Sequence, residues 1–203
     1  LHTTSISDNT VEGTVDVVLS SAKETQTTLE VEILSKEGYS AFSKSVRAKA
    51  DGHIVSVPFQ VQNAELWSHR HPNLYSVVVR TGEDEVSFTT GFRSIKVTTD
   101  KKFEINGRRV YLRGVCLGHD SRNGLGALSE KDMLDDLGMI NEIGANAFRS
   151  MTGPHDDFLY QQADRNGVLV WIDVPLQQTP FLSDIAFFST PLYEQNAVGI
   201  QSV

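Results

Sequence analysis

The chain has 203 residues, 39% hydrophobic and 22% charged, so it can build cores and has room for one large domain or two small ones. Its formal net charge of -8 argues against a nucleic-acid partner, which would require a basic face. A single cysteine, Cys116, excludes an internal disulfide and Cys-based zinc spacings, and no run approaches the ~18 apolar residues of a membrane span.

From Thr10 to about Val97 the pattern is that of short strands. Leu29, Val31 and Ile33 alternate with polar residues, as do Val55, Val57, Phe59 and Val61, and then Tyr75, Val77 and Val79. A period of two buries one face and wets the other, as in antiparallel sheets packed as a sandwich. Turn residues separate the runs at Lys36-Glu37-Gly38, Asp51-Gly52 and Gly82-Glu83-Asp84. The predicted fold is an immunoglobulin-like β-sandwich without the cysteine pair of true immunoglobulins.

Asn106-Gly107, between Phe103–Ile105 and Arg108–Leu112, is a two-residue hairpin signal because both positions need positive φ. The hairpin leads into a strand predicted over Val110–Cys116, with Cys116 read as a buried small hydrophobe. The period then changes. Ser129-Glu130-Lys131-Asp132 is a capping box that opens a helix, with Met133, Leu137 and Ile140 on one face, joined by Leu134 and Ile143, and Gly144 at its end. Ala145–Phe148 is a predicted strand. Asp156 or Asp157 caps a second helix carrying Phe158, Leu159, Gln162 and Ala163, which Gly167 closes. Val168–Ile172 is a continuous apolar strand, expected to be covered on both faces. The order β-α-β-α-β implies a parallel sheet.

Ligands of parallel α/β sheets bind beyond the carboxyl ends of the strands. Here those exits are Leu117-Gly118-His119-Asp120, Arg149-Ser150-Met151-Thr152 and Asp173-Val174-Pro175. Each carries a polar or charged group that folding does not require, and Arg149 and Asp173 would share one rim. Three strands do not close a barrel, and Gln177–Val203 adds an apolar patch (Phe181, Leu182, Ile185, Phe187, Phe188) and a helix expected over Tyr193–Val203. Both ends of the sequence are therefore expected to be cuts in a longer chain.

Several segments resemble the family 2 glycoside hydrolases, which include β-galactosidases, β-glucuronidases and β-mannosidases. Leu66-Trp67-Ser68 followed by Pro72-Asn73-Leu74-Tyr75 is similar to the "LWSPxxPxLY" stretch of the family's immunoglobulin-like domain, and Gly91-Phe92-Arg93 to the "GFR" that leaves it. "INGRRVYLRGVCLGHD" resembles the start of the family's catalytic barrel, "GANAFRS" its "NAxRxSHYP", and "NGVLVWIDVP" its "VWxExP". The resemblance implies an immunoglobulin-like sandwich over residues 1–97. Residues 98–203 would then be the N-terminal part of a TIM (β/α)8 barrel. The activity implied is retaining hydrolysis of terminal β-glycosidic bonds, β-galactosidase-like, with no cofactor and no metal on this segment. The implied partners are a carbohydrate substrate and the remainder of the polypeptide, with no nucleic acid and no membrane; a homo-oligomer is left open, and no residue fixes a compartment.

Retaining glycosidases use two carboxyl groups about 5–5.5 Å apart. In the family these are glutamates after barrel strands four and seven. None of Glu104, Glu130, Glu142 or Glu194 fits those motifs, so no catalytic residue is expected in this chain, and the chain alone is expected to be inactive. Arg149 matches the family arginine that hydrogen-bonds the nucleophile, with an ion pair to Asp173 or Asp120 as the plain alternative. Asp120 matches the acid of "HxD", with a loop cap as the alternative. His119 is adjacent to the position expected for the family histidine, which falls at Gly118. Asp173 stands where many relatives have Glu and would contact sugar or support the rim. The second motif histidine corresponds to Thr152. The four substrate-binding candidates are Asp120, His119, Arg149 and Asp173, with His155 and Asp156 near the rim and Asp156 read as a helix cap. Gly124-Leu125-Gly126 lacks the residues of a phosphate loop, and His69-Arg70-His71 is read as a solvated turn rather than a metal site. The absent glutamates leave a rival reading, a non-catalytic carbohydrate-binding or interaction module derived from the family.

Overall fold

The computed structural model describes residues 1–21, 25–82, 84–120, 128–151 and 153–173. The expected glycine loop at 124–126 and the segment from 177 onward lie outside the described residues. The chain forms two compact units, one of Leu1–Tyr111 with Asp164–Gly167, the other of Leu112–Ala163 with the chain from Val168.

The first unit holds β1 (His2–Ser7), β2 (Thr10–Ser20), β3 (Gln26–Leu34), β4 (Ser40–Lys49), β5 (Asp51–Val61), β6 (Tyr75–Thr81) and β7 (Asp84–Thr90). They form two antiparallel sheets, β1-β2-β5 and β4-β3-β6-β7. The alternation read from the sequence is the burial pattern observed: Leu29, Val31, Ile33, Val57, Phe59, Val61 and Val77 lie in one core. The expected turn at Asp51-Gly52 falls differently. β4 pairs with β3 whereas β5 pairs with β2. The link at Ala50 thus passes from one sheet to the other, and β5 already begins at Asp51.

Three of the segments that carried the resemblance meet in this unit. The Trp67 N–H donates to the Phe92 carbonyl at 2.8 Å. A Cβ on Gly91 would come within 2.7 Å of Trp67, so the position demands glycine. The Arg93 guanidinium lies 4.7 Å over the Trp67 ring. The Tyr75 hydroxyl accepts from the Glu65 N–H at 2.9 Å, and the Asn106 amide donates to the Trp67 carbonyl at 3.0 Å. The Trp-Ser, Leu-Tyr and Gly-Phe-Arg motifs are thus the parts of one packed corner. Ser68 and His71 bond each other's backbone, which makes His69-Arg70 a tight turn.

A small sheet of β8 (Ile95–Val97), β9 (Phe103–Ile105) and β10 (Arg108–Arg109) follows. Asn106 and Gly107 have φ of 51° and 70°, as the hairpin requires. The strand expected over Val110–Cys116 is interrupted. The N–H of Val110 is held by Phe103, and the backbone of Arg113 is held by Asn146. β11 (Gly114–Leu117) starts only where a parallel neighbour exists.

The second unit is β11, α1 (Glu130–Glu142), β12 (Ala147–Ser150), most of α2 (Asp157–Asn166) and β13 (Leu169–Ile172), with parallel order β11-β12-β13. Ser129 caps α1 as expected: its hydroxyl accepts from the Asp132 N–H, and the Asp132 carboxylate accepts from the Ser129 N–H. Asp156 caps α2 by accepting from the Phe158 N–H at 2.8 Å. Gly144 and Gly167 close the two helices with φ of 68° and 70°. Both following strands start later than their apolar runs. The Ala145 and Val168 N–H groups still bond back to Ile140 and Ala163 at the helix ends.

Met133, Leu137, Ile140, Leu159 and Ala163 pack with Phe148, Val115 and Val170 on one side of the sheet. Leu134 and Ile143 were expected to join this face; they are exposed, being a step round the helix from the buried stripe. β13 was expected to be covered on both faces. Instead Cys116, Arg149 and Trp171 stand side by side in register on the other face. Cys116 is exposed rather than buried, and Trp171 is 67% exposed. The alternation of each strand gives Val115, Phe148 and Val170 to the helices and their successors to this open face.

Candidate functional site

The parallel sheet brings its three carboxyl ends to one rim. Arg149 is the third residue of β12, and Asp173 directly follows β13. The Asp173 N–H continues the ladder to the Ser150 carbonyl at 3.1 Å, which sets the carboxylate opposite the guanidinium. Arg149 Nε donates to Asp173 Oδ1 at 2.8 Å, and its Nη2 donates to Oδ2 at 2.9 Å. These two parallel bonds occupy the side-on edge of the guanidinium. The hydrogen bonds that Asp173 accepts push the Arg149 pKa upward, so the arginine is a fixed cation. Of the two plain alternatives, Asp173 rather than Asp120 is the ion-pair partner.

The Nη1/Nη2 edge of Arg149 is not used by any described residue. That edge is a planar fork matched to a second carboxylate or to vicinal hydroxyls. Asp173 has a side chain that is 23% exposed, against 55% for Arg149, so the carboxylate is the anchored member of the pair and the arginine the presented one.

A second cluster sits at the exits of β11 and β12. His119 Nε2 lies 3.1 Å from the Pro154 carbonyl, and His155 Nε2 lies 3.2 Å from the Gly118 carbonyl. The two rings stack with centroids 4.0 Å apart and 10° between planes. His155 Nδ1 is 2.6 Å from the hydroxyl of Ser150, which is fully buried. That hydroxyl is also 2.5 Å from the Gly153 carbonyl. Burial, the largest influence, lowers the His155 pKa below its ordinary 6.5, helped by His119; the Gly118 carbonyl and Asp136 act in the opposite sense.

The structure thus brings the four expected substrate-binding residues to one end of one sheet, three of them in two groups. Arg149 pairs with Asp173. His119 joins His155. Asp120 is exposed and forms no ion pair with Arg149. Thr152 lies outside the described residues. Sequence reading placed His155 near the rim but did not see its partnership with Ser150 and His119. The available signal was a histidine just beyond a strand end, beside a proline, in a segment too short to turn it away. A cavity of ≈ 240 Å³ on the sandwich, beside Tyr39, Asn63 and Tyr75, holds none of the expected site residues. Among the described residues no three His, Cys, Asp or Glu side chains converge as a metal site would require.

Comparison with known proteins bears on both units. Residues 1–93 match the family described as glycosyl hydrolases family 2, and residues 95–198 match the glycosyl hydrolases family 2 TIM barrel domain. A beta-glucuronidase of Bacteroides fragilis is 26% identical over 83% of this chain and 26% of its own length. A beta-galactosidase large subunit of Lactobacillus helveticus is 26% identical over 70% of this chain and 23% of its own length. Among solved structures, beta-glucuronidase 2 of Bacteroides uniformis, covalently bound to cyclophellitol-6-carboxylate aziridine, superposes with a TM-score of 0.77 at 25% identity, covering 96% of this chain and 24% of that one. The chain therefore spans about a quarter of the length of these two curated relatives.

Proposed function

Because the chain belongs to family 2 of the glycosyl hydrolases, we propose that it is part of a retaining β-glycosidase that removes a terminal sugar such as a β-galactoside or β-glucuronide. Residues 1–97 serve as the immunoglobulin-like support, and residues 98–203 begin the catalytic barrel. The observation that carries this reading is the Arg149–Asp173 fork at the carboxyl ends of two adjacent parallel strands.

Retention needs a nucleophilic carboxylate that attacks the anomeric carbon and an acid that protonates the departing oxygen. In this proposal both carboxyl groups come from residues outside this chain. Arg149 supplies what they need from their surroundings. Held side-on by Asp173, it offers its other edge to the nucleophile, keeps it ionised and fixes its angle. Asp120 and His119 take sugar hydroxyls. The covalent adduct of the Bacteroides uniformis relative supports a nucleophile in such a site, since an aziridine is opened by nucleophilic attack.

The test is hydrolysis of nitrophenyl β-D-glucuronide and β-D-galactoside by the 203-residue chain and by a longer polypeptide that contains it. The chain alone is expected to give no turnover, and the longer polypeptide to release sugar that first appears as the β-anomer in proton NMR. First release of the α-anomer would overturn the retaining mechanism. No turnover by the longer polypeptide, together with sugar binding, would favour the non-catalytic module instead.

A further inference from the structure

We propose that His155 is a positioning residue of this rim: it clasps the loop after β12 to the loop after β11 and fixes His119 as a hydrogen-bond acceptor toward a sugar hydroxyl. The identity of the ligand rests on the glycosidase reading above; the clasp rests on geometry alone.

The clasp is reciprocal. Each loop contributes one histidine and one backbone carbonyl, and each histidine reaches the carbonyl of the other loop. A carbonyl can only accept, so both Nε2 atoms carry hydrogen. In a neutral imidazole the lone pair is then at Nδ1. The lone pair of His155 has the Ser150 hydroxyl, 2.6 Å away, as its partner whenever the hydroxyl hydrogen turns from Gly153 toward it. Nδ1 of His119 has no partner among the described residues and is the acceptor left over. An unclasped histidine could present either nitrogen in either sense; here the Pro154 bond and the stacked ring remove that choice. The His119 ring, stacked at 4.0 Å, also disfavours the charged form of His155.

Ser150 makes the clasp sensitive to one proton. Its hydroxyl has a single hydrogen and two acceptors within reach, His155 Nδ1 and the Gly153 carbonyl. When His155 is neutral, the hydrogen points to Nδ1. When His155 is protonated, Nδ1–H donates to Ser150, and the hydroxyl hydrogen turns to Gly153. The groups that face His155 are His119 from the loop after β11, Asp136 from α1, and Tyr160 from α2, whose hydroxyl accepts the His155 N–H at 2.6 Å.

The experiment is a long-range proton–nitrogen correlation spectrum of the 203-residue chain labelled with ¹⁵N-histidine, for the wild type, His155→Phe, His155→Gln and Ser150→Ala. In the wild type at neutral pH both rings should be Nε2–H tautomers, each with an observable ring proton. In His155→Phe the His119 ring proton should be lost to solvent exchange and its nitrogen shifts should move toward a tautomer average. His155→Gln, whose amide can donate to Gly118, should restore the His119 signal at least in part. A His119 that is Nδ1–H in the wild type, or whose ring signals are the same in folded His155→Phe, overturns the proposal. Should His155→Phe not fold, Ser150→Ala decides: a displaced His155 Nδ1 resonance supports the chain described here, and an unmoved one overturns it. None of these readouts involves sugar, so loss of the clasp leaves the hydrolase reading standing, and loss of turnover leaves the clasp standing.

Discussion

Arg149 and His155 show two ways in which a side chain is prepared for work by its neighbours. Arg149 is prepared by geometry. A lysine in its place would keep the charge but could not be gripped on one edge while presenting another. His155 is prepared by burial, and that has a consequence for stability. Its pKa is lowered in the folded chain, with burial as the main cause, from an ordinary 6.5 that the unfolded chain retains. Below pH 6.5 the unfolded state therefore takes up a proton that the folded state resists. The contribution of neutral His155 is fully present above that value and is lost as the pH falls from 6.5 through the lower folded value. The melting temperature of the chain should accordingly fall between pH 7 and 5. His155→Gln, which cannot titrate, should show a flatter profile over the same range. Parallel profiles for the two proteins would rule out His155 as the source of the slope.

At the scale of elements, what was legible in the sequence was whatever depends on local chemistry. The capping box at Ser129, the positive-φ pair at Asn106-Gly107 and the alternation of Leu29, Val31 and Ile33 each specify one conformation through neighbouring atoms. Strand limits were less legible, because Ala145 and Val168 are apolar whether their N–H groups close a helix or join a ladder, and the ladder partner decides. The exposure of Trp171 and Cys116 was not legible at all, since it depends on what covers the second face of the sheet. The Ser150–His155 bond was hidden for a similar reason: it joins a strand residue to a loop residue through a turn whose geometry no local motif announces. The local device is open to test. Ser129→Ala removes both the acceptor for the Asp132 N–H and the hydroxyl contact to its carboxylate. It should destabilise the α/β unit by about 1 kcal/mol. Urea unfolding followed by far-ultraviolet circular dichroism is suited to this, because among the described residues both helices, α1 and α2, follow the sandwich. An unchanged midpoint would mean that α1 is held by its Met133, Leu137 and Ile140 contacts and not by its cap.

At the scale of the whole molecule, the open face of the parallel sheet is the feature that most needs a physical account. Its helix-facing side is packed, with Phe148 and Leu159 each 1% exposed. Its other side presents Cys116, Arg149 and Trp171 in one row. A tryptophan left 67% exposed wastes the burial that a ring of its size would normally contribute. In a closed eight-stranded barrel the inward side chains fill the interior in layers, and Trp171 and Cys116 have the place and direction of such inward residues. If residues outside this chain complete a barrel, as the proposed function requires, the two should change state together. In the 203-residue chain the Cys116 thiol should react promptly with a disulfide reagent such as dithionitrobenzoate. In the longer folded polypeptide the same thiol should be protected until denaturant is added. In the 203-residue chain carrying Trp67→Phe, which leaves Trp171 as its one tryptophan, the emission should be that of a solvated indole. Equal reactivity of Cys116 in the two proteins would mean that the row faces solvent in both, and Arg149 would then belong to an open surface rather than to the floor of a sugar pocket.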